Sequence, residues 1–167
     1  MIRDLNIKEC IRILDTNYIG HLAYLFRKNP IVVPITYYYN KAGNYIICYS
    51  AEGHKIKAMR NNKYVSLGVD EIISVNHWKS VLLEGKFEEL KGPDAKYQLH
   101  EFANGVKKIM LTKEKKNVHF ISEFSSKLHS EGIPVVYKIN ILEITGKKRN
   151  FKPDFNKKPK AKLKVLK

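Results

Sequence analysis

Two cysteines, Cys10 and Cys48, are all that the 167 residues contain, and they stand in no paired spacing. This excludes a disulfide framework and makes a reduced, cytoplasmic setting the expectation, with both thiols as small core residues. Long apolar runs are also missing: the longest break within about ten residues, where a membrane helix needs roughly twenty. The opening MIRDLNIKEC lacks the basic-then-apolar layout of a secretory signal. There is no HExxH, no paired CxxC, no GxSxG and no GxxxxGK[ST], so zinc hydrolysis, serine-hydrolase chemistry and P-loop phosphate binding are not indicated. The six histidines are scattered without ligand spacing, and His21 and His119 read as polar or half-buried residues. Carboxylates fall mainly at helix ends and in the solvated run Glu84 to Glu89, with no dyad for acid–base work. An enzyme with this inventory would take its reactivity from a cofactor.

What is present suits one domain with a single core: 44% of all residues are hydrophobic and 11% of all residues are aromatic, in a chain of ordinary domain length. The net charge of +15 is unevenly placed. Residues 146–167 carry ten Lys or Arg against one acid, Asp154, which leaves +6 for everything before them. Positive charge is therefore mostly a property of the C-terminal end.

Periodicity predicts a helix over NIKECIRILDTN, with Ile7, Cys10, Ile11 and Leu14 on one face and Asn6 with Glu9 as a capping box. Three strand-like runs follow. YIGHLAYLF ends at Lys28-Asn29-Pro30, and IVVPITYYY ends at the four-residue loop Asn40 to Gly43. NYIICYS comes next, so the last two runs are expected to pair antiparallel. Pro34 cannot donate to a ladder and belongs at a bulge or an edge, which draws attention to Ile35–Tyr37. GHKIKAMRNN reads as a short helix stopped by Asn61-Asn62, and YVSLGVD and HWKSVLLEGKFEEL as two more strands, the second bent at Gly85. From Pro93 to about Leu128 the pattern is helical. Tyr97, Leu99, Phe102, Val106, Ile109 and Met110 make one face; Val118, Ile121, Phe124 and Leu128 make another. PVVYKINILEITG closes the domain as a strand, giving residues 1–147 as the folded unit and 148–167 as a basic flexible tail. Sequential strands with short turns favour an antiparallel barrel of about six strands with flanking helices, an α+β fold that is mainly β.

The junction YSAEGHKIKAMRNN is the chemically suggestive stretch. A strand feeding a helix exposes unpaired N–H groups at the positive end of the helix dipole. Ser50 adds a hydroxyl, Gly53 allows close backbone approach, and His54 and Lys55 add cationic donors. Glu52 counts against an anion unless it turns away. From spacing alone, a phosphate cradle and an ordinary Ser cap with solvated basic neighbours stand level.

As an ordered set, GHLAY, IVVPITYYYNKAGNYIICYSAEGHKIKAMRNNKYVSLGV, HWKSVLLEGKFEEL and ILEITGKKR resemble the FMN-binding split-barrel flavoproteins related to pyridoxamine 5′-phosphate oxidase, and among them the nitroimidazole-resistance type. The likeness runs over about residues 7 to 90, half the chain. It implies FMN as cofactor, with its phosphate at Ser50, Gly53, His54 and Lys55. His54 stands where many relatives carry arginine, so the grip should weaken above neutral pH. It also implies that Pro34, Ile35, Thr36 and Tyr37 run beside the flavin ring, with the backbone and the Thr36 hydroxyl on its polar edge. Trp78, Lys79 and Ser80 would reach the flavin of a second subunit, making the protein an obligate homodimer. The departures matter too. Val32 and Tyr37 stand where the oxidase has basic phosphate ligands, which argues against vitamin B6 oxidation. Tyr49 stands where some nitroimidazole-resistance relatives have a histidine.

The expected activity is reduction of a small molecule with electrons from NAD(P)H. No side-chain acid or base is needed if hydride passes between ring and substrate; catalytic residues are left open, and no metal or membrane is expected. Two alternatives stay open: a flavin- or haem-binding module without turnover, and nucleic-acid binding through the tail, against which stand its having only Phe151 and Phe155 as aromatics and no groove-reading motif.

Overall fold

The structure, a computed structural model, describes residues 1–114 and 134–150. In chain order the elements are β1 (Ile2–Asp4), α1 (Ile7–Thr16), β2 (Ile19–Phe26), β3 (Asn29–Thr36), β4 (Tyr38–Asn40), β5 (Tyr45–Ser50), α2 (His54–Asn61), β6 (Tyr64–Ser74), β7 (His77–Glu89), α3 (Gly92–Glu114) and β8 (Val135–Asn150). The second expected helical face, Val118 to Leu128, and residues 151–167 lie outside the described residues.

α1 starts as its capping box dictates. The Asn6 side chain accepts from the Glu9 N–H at 2.9 Å, and the Glu9 carboxylate accepts from the Asn6 N–H at 3.0 Å. Its buried face is Cys10, Ile13 and Leu14. Ile7, expected on that face, is 55% exposed, because it sits in the first turn, before the helix reaches the sheet.

All strand pairs are antiparallel, and the sheet runs β3-β2-β6-β7-β8-β5-β4 with β1 added to β8. Alternation sends Leu22, Tyr24, Val65, Leu67, Val69, Val81, Leu83, Phe87 and Ile139 into one core. The sheet does not close: β3 and β4 end its continuous path, and β1 is a short further edge on β8. This is the expected split barrel, with eight strands where about six were expected. The extra two are β1, too short to show periodicity, and the division of IVVPITYYY at Tyr37.

That division corrects the expected pairing. Residues 29–36 pair with β2 over their full length, and only Tyr38–Asn40 pair with β5. One bent stretch therefore leaves the first edge and joins the last, as strands do at barrel corners. Tyr37 is the corner: its N–H donates to the Tyr18 carbonyl at 2.8 Å and its buried hydroxyl donates to the Leu14 carbonyl at 3.0 Å. Pro34 lies on the edge strand, where its missing N–H costs no ladder bond.

Gly85 occupies the register shift between β7 and β8. A Cβ there would lie 2.4 Å from Ile139 Cγ2 and 2.9 Å from the Asn140 carbonyl oxygen, so the bend needs glycine. β8 is longer than expected and runs to Asn150. Lys148, Arg149 and Asn150, assigned from sequence to the tail, are thus paired within the sheet. Among the described residues, no helix is long and apolar enough to cross a membrane.

Candidate functional site

The bend at Tyr37 opens a wedge. β4 meets β5 in the register Tyr38–Ile47, Tyr39–Ile46 and Asn40–Tyr45. Extended backwards, that register would set Thr36 opposite Tyr49 and Ile35 opposite Ser50. Instead β3 turns away to β2, so that its outer edge and the end of β5 diverge across a gap. The sequence-selected residues Pro34–Tyr37 and Ser50 flank this gap, and α2 starts at its end. Ile35 of β3 and Tyr37 just beyond it point into the core, whereas Pro34 is exposed and Thr36 half-buried on the outer side. Tyr37 therefore offers the gap its backbone and not its hydroxyl.

At the junction, Gly53 is the N-cap of α2 and makes no side-chain cap bond. Ser50 is half-buried three residues earlier and is not the cap. The first helical bond is from the Lys57 N–H to the Gly53 carbonyl at 3.1 Å, so the N–H groups of His54, Lys55 and Ile56 point out of the helix end without helical partners. Gly53 has extended backbone, and a Cβ there would meet nothing within 4 Å. Nothing in the chain itself demands glycine, and the space beside it is open.

The charges around this point are sorted. Glu52 is turned away: Arg60, one helix length on, holds it bidentately at 2.7 and 2.9 Å and grips Glu89 of β7 at 2.7 and 2.9 Å. Lys55 is half-buried and, among the described residues, has no carboxylate within ion-pair distance. Burial pulls its ammonium below the ordinary 10.5, so this cation lacks compensation. His54 is exposed, but its ring packs edge-on against Phe26 with centroids 3.9 Å apart, and its Nδ1 lies 3.4 Å from the Tyr24 hydroxyl. These β2 aromatics and Arg60 are parts of the site that sequence reasoning missed. The aromatic contacts to His54 span twenty-eight and thirty residues and Arg60 reaches Glu89 across twenty-nine, which leaves no local spacing to find; only the Arg60 grip on Glu52, eight residues back, is local.

Trp78, Lys79 and Ser80 are elsewhere. All three are half-buried, and they stand at the opposite end of β7 from Glu89, eleven residues from Trp78 and roughly 36 Å along an extended strand. Lys79 pairs with Glu71 at 3.8 Å. The length of β7 keeps these residues from the α2 corner of their own chain, whereas Glu71 also accepts from Asn17, next to the Tyr18 carbonyl that holds the Tyr37 corner. Buried nucleophiles do not serve it either. Cys48 is fully buried, and desolvation pushes its thiol up to about 12. Among the described residues no group of three or more His, Cys, Asp or Glu could hold a metal.

An uncharacterized protein of Rhizobium meliloti is 37% identical over 89 residues, 53% of this chain. The chain covers 58% of that curated relative, less than two thirds of its length. Among solved structures, a FAD-binding protein from Mesorhizobium loti is 30% identical and superposes with a TM-score of 0.69, covering 90% of this chain and 99% of that one. A candidate 5-nitroimidazole antibiotic resistance protein from Bacteroides thetaiotaomicron shares the fold at 16% identity and a TM-score of 0.64, over 88% of this chain and 87% of its own. A family model described as pyridoxamine 5′-phosphate oxidase matches residues 6–148. With that match running from the α1 cap to two residues short of the end of β8, across both edges of the wedge, the chain belongs to the pyridoxamine 5′-phosphate oxidase family.

Proposed function

We propose that this chain is a flavoprotein that holds FMN in the wedge between β3 and β5 and works as a homodimer. The observation that carries the proposal is the uncapped start of α2 beside an uncompensated Lys55 and an open Gly53, with Glu52 held off by Arg60. Such a corner suits a phosphate: free N–H donors, a helix dipole and a partly desolvated cation act together. Ser50 would add its hydroxyl, and His54, braced by Phe26 and Tyr24, a ring N–H. The outer edge at Pro34–Thr36 would offer backbone groups and the Thr36 hydroxyl to the polar rim of the ring.

A bound flavin supplies reversible two-electron redox chemistry. The residues here bind and orient; none is assigned a proton-transfer role. The oxidoreductase reading, in which NAD(P)H reduces a small molecule, rests on family membership and on this absence of side-chain chemistry. Trp78, Lys79 and Ser80 act in this reading on the wedge of a second copy, which their separation along β7 from the phosphate corner of their own chain supports. FAD, bound by the Mesorhizobium neighbour, is the competitor to FMN.

The test is the absorbance spectrum and the mass of the cofactor released from purified protein. Flavin bands with a mass of FMN support the proposal, a mass of FAD moves it to the dinucleotide, and colourless protein in excess of either refutes it. Anaerobic bleaching by NADPH or NADH then separates an oxidoreductase from a module that binds flavin without turnover.

A further inference from the structure

Four strands each place one side chain on a single line across the outer face of the sheet, at the end remote from α2. Ile72 of β6 stands opposite Trp78 of β7, Trp78 opposite Arg149 of β8, and Arg149 opposite Ile2 of β1. Directly opposed residues share a face, and four strands make the line about 14 Å long. The face is the outer one, because Val81 and Leu83 are in the core while Leu82, in phase with Trp78, is 45% exposed. Ile72 and Ile2 are exposed, and Ile73 and Val75 continue the apolar surface at the tip of the β6–β7 hairpin.

The charges at this end single out Arg149. Lys147 is bonded to Asp4, Lys148 to Glu9 at 2.6 Å and Lys79 to Glu71. Arg149 is half-buried and, among the described residues, has no carboxylate within ion-pair distance. The neighbouring line holds Asp70, Ser80, Lys147 and Asp4, in which Asp4 is already neutralised by Lys147. An indole, two branched aliphatics and one guanidinium on a flat surface match a flat apolar body with one negative substituent. The aliphatics and the ring cover apolar area, and the planar guanidinium pairs with carboxylate or phosphate in two-point fashion.

The flavin reading, on which this step rests, carries Trp78 and Ser80 to the wedge of a second copy. Arg149 and Ile2 travel with them, since pairing fixes them beside Trp78. We infer that Arg149, set between Trp78 and Ile2, is a specificity-determining residue for the second ligand, and that this ligand is a flat, apolar small molecule bearing a carboxylate or phosphate.

The test uses the flavin-loaded full chain, titrated with benzoate and with benzamide and read by calorimetry and by the flavin difference spectrum. The two probes share a ring and differ in charge. The parent protein is expected to prefer benzoate by about tenfold or more, as for a charge-assisted pair. Arg149→Gln abolishes the preference, Arg149→Lys retains part of it, and both keep flavin content and dimer mass. The proposal is overturned if benzoate does not bind, if the parent treats the probes alike, or if the preference survives Arg149→Gln. Loss of flavin from Arg149→Gln also overturns it, since the guanidinium would then serve the cofactor. Failure of the flavin reading shows separately, as a parent chain that takes up no flavin before any residue is changed.

Discussion

Gly53 is where one residue separates stability from binding. Its backbone is extended and its surroundings are open, so Gly53→Ala meets no clash within the chain and removes freedom from the unfolded state. Thermal unfolding of the cofactor-free protein is expected to show unchanged or slightly raised stability, by about 0.5 kcal/mol. Flavin titration of the same variant is expected to show weaker binding, because a Cβ occupies space the phosphate approaches. Unchanged flavin affinity would remove the phosphate from this corner. Two buried tyrosines make a second contrast. The Tyr37 hydroxyl donates to the Leu14 carbonyl, while the Tyr137 hydroxyl is buried beside the weakly bonding Cys48 thiol and, among the described residues, has no oxygen or nitrogen partner. Tyr37→Phe is expected to cost about 1 kcal/mol in denaturant unfolding, and Tyr137→Phe to be neutral or stabilising. Residue types at the junction were legible because Ser50, Gly53, His54 and Lys55 are contiguous. Their distant supports were not: nothing near Glu52 announces that Arg60 will hold it, or near His54 that Phe26 will brace it.

Elements were legible wherever local chemistry sets them. Asn6 and Glu9 specify the start of α1, and the structure returns both reciprocal bonds. Asn6→Ala is expected to lower stability by about 1 kcal/mol, seen as a reduced midpoint in denaturant with unchanged slope. The run 31–40 was half legible. Its β-branched and aromatic residues mark it as extended, but no glycine or charge marks Tyr37 as the point where pairing passes from β2 to β5. That choice is made by the Tyr18 and Leu14 carbonyls, which are tertiary partners. Several elements are also tied by carboxylates held below their ordinary 4.5: Glu89 by Arg60 of α2, Glu88 by Asn140 and Lys138 of β8, and Glu9 by Lys148 of β8. A depressed folded pKa means the unfolded chain binds these protons first. The ties therefore contribute fully above about pH 4.5 and are lost as pH falls through the lower folded values. Stability measured by denaturant should fall over that acid range. With Arg60→Gln the part due to Glu89 should disappear, while that due to Glu9 persists.

At the scale of the molecule, the split barrel poses a problem that a second copy answers. Glu89, which Arg60 ties to the α2 corner, and Trp78 lie at opposite ends of β7, roughly 36 Å apart when extended, too far for the indole to touch the phosphate corner of its own chain. The outer face also leaves Leu82, Leu142, Ile72 and Ile73 exposed, an apolar area of the kind that marks an interface. The homodimer reading makes these two facts one: the face that is covered is the face that carries Trp78 to the partner's wedge. Dimerisation and flavin retention must then fail together. Leu82→Asp places a charge on that outer face while Val81 and Leu83 keep the core. It is expected to give a monomer by sedimentation with intact far-ultraviolet dichroism, and to release flavin that the parent retains. A monomeric variant with undiminished flavin would mean that one wedge suffices, and that Trp78, Lys79 and Ser80 belong to some other contact. The charged tail should be independent of this coupling. Ending the chain at Asn150 keeps β8 whole and removes seven lysines and one aspartate, so retention on a polyanion column should shift to lower salt while dimer and flavin remain. A truncated chain that also lost flavin would tie the tail to the site, whereas the coupling argued from β7 needs nothing beyond Asn150.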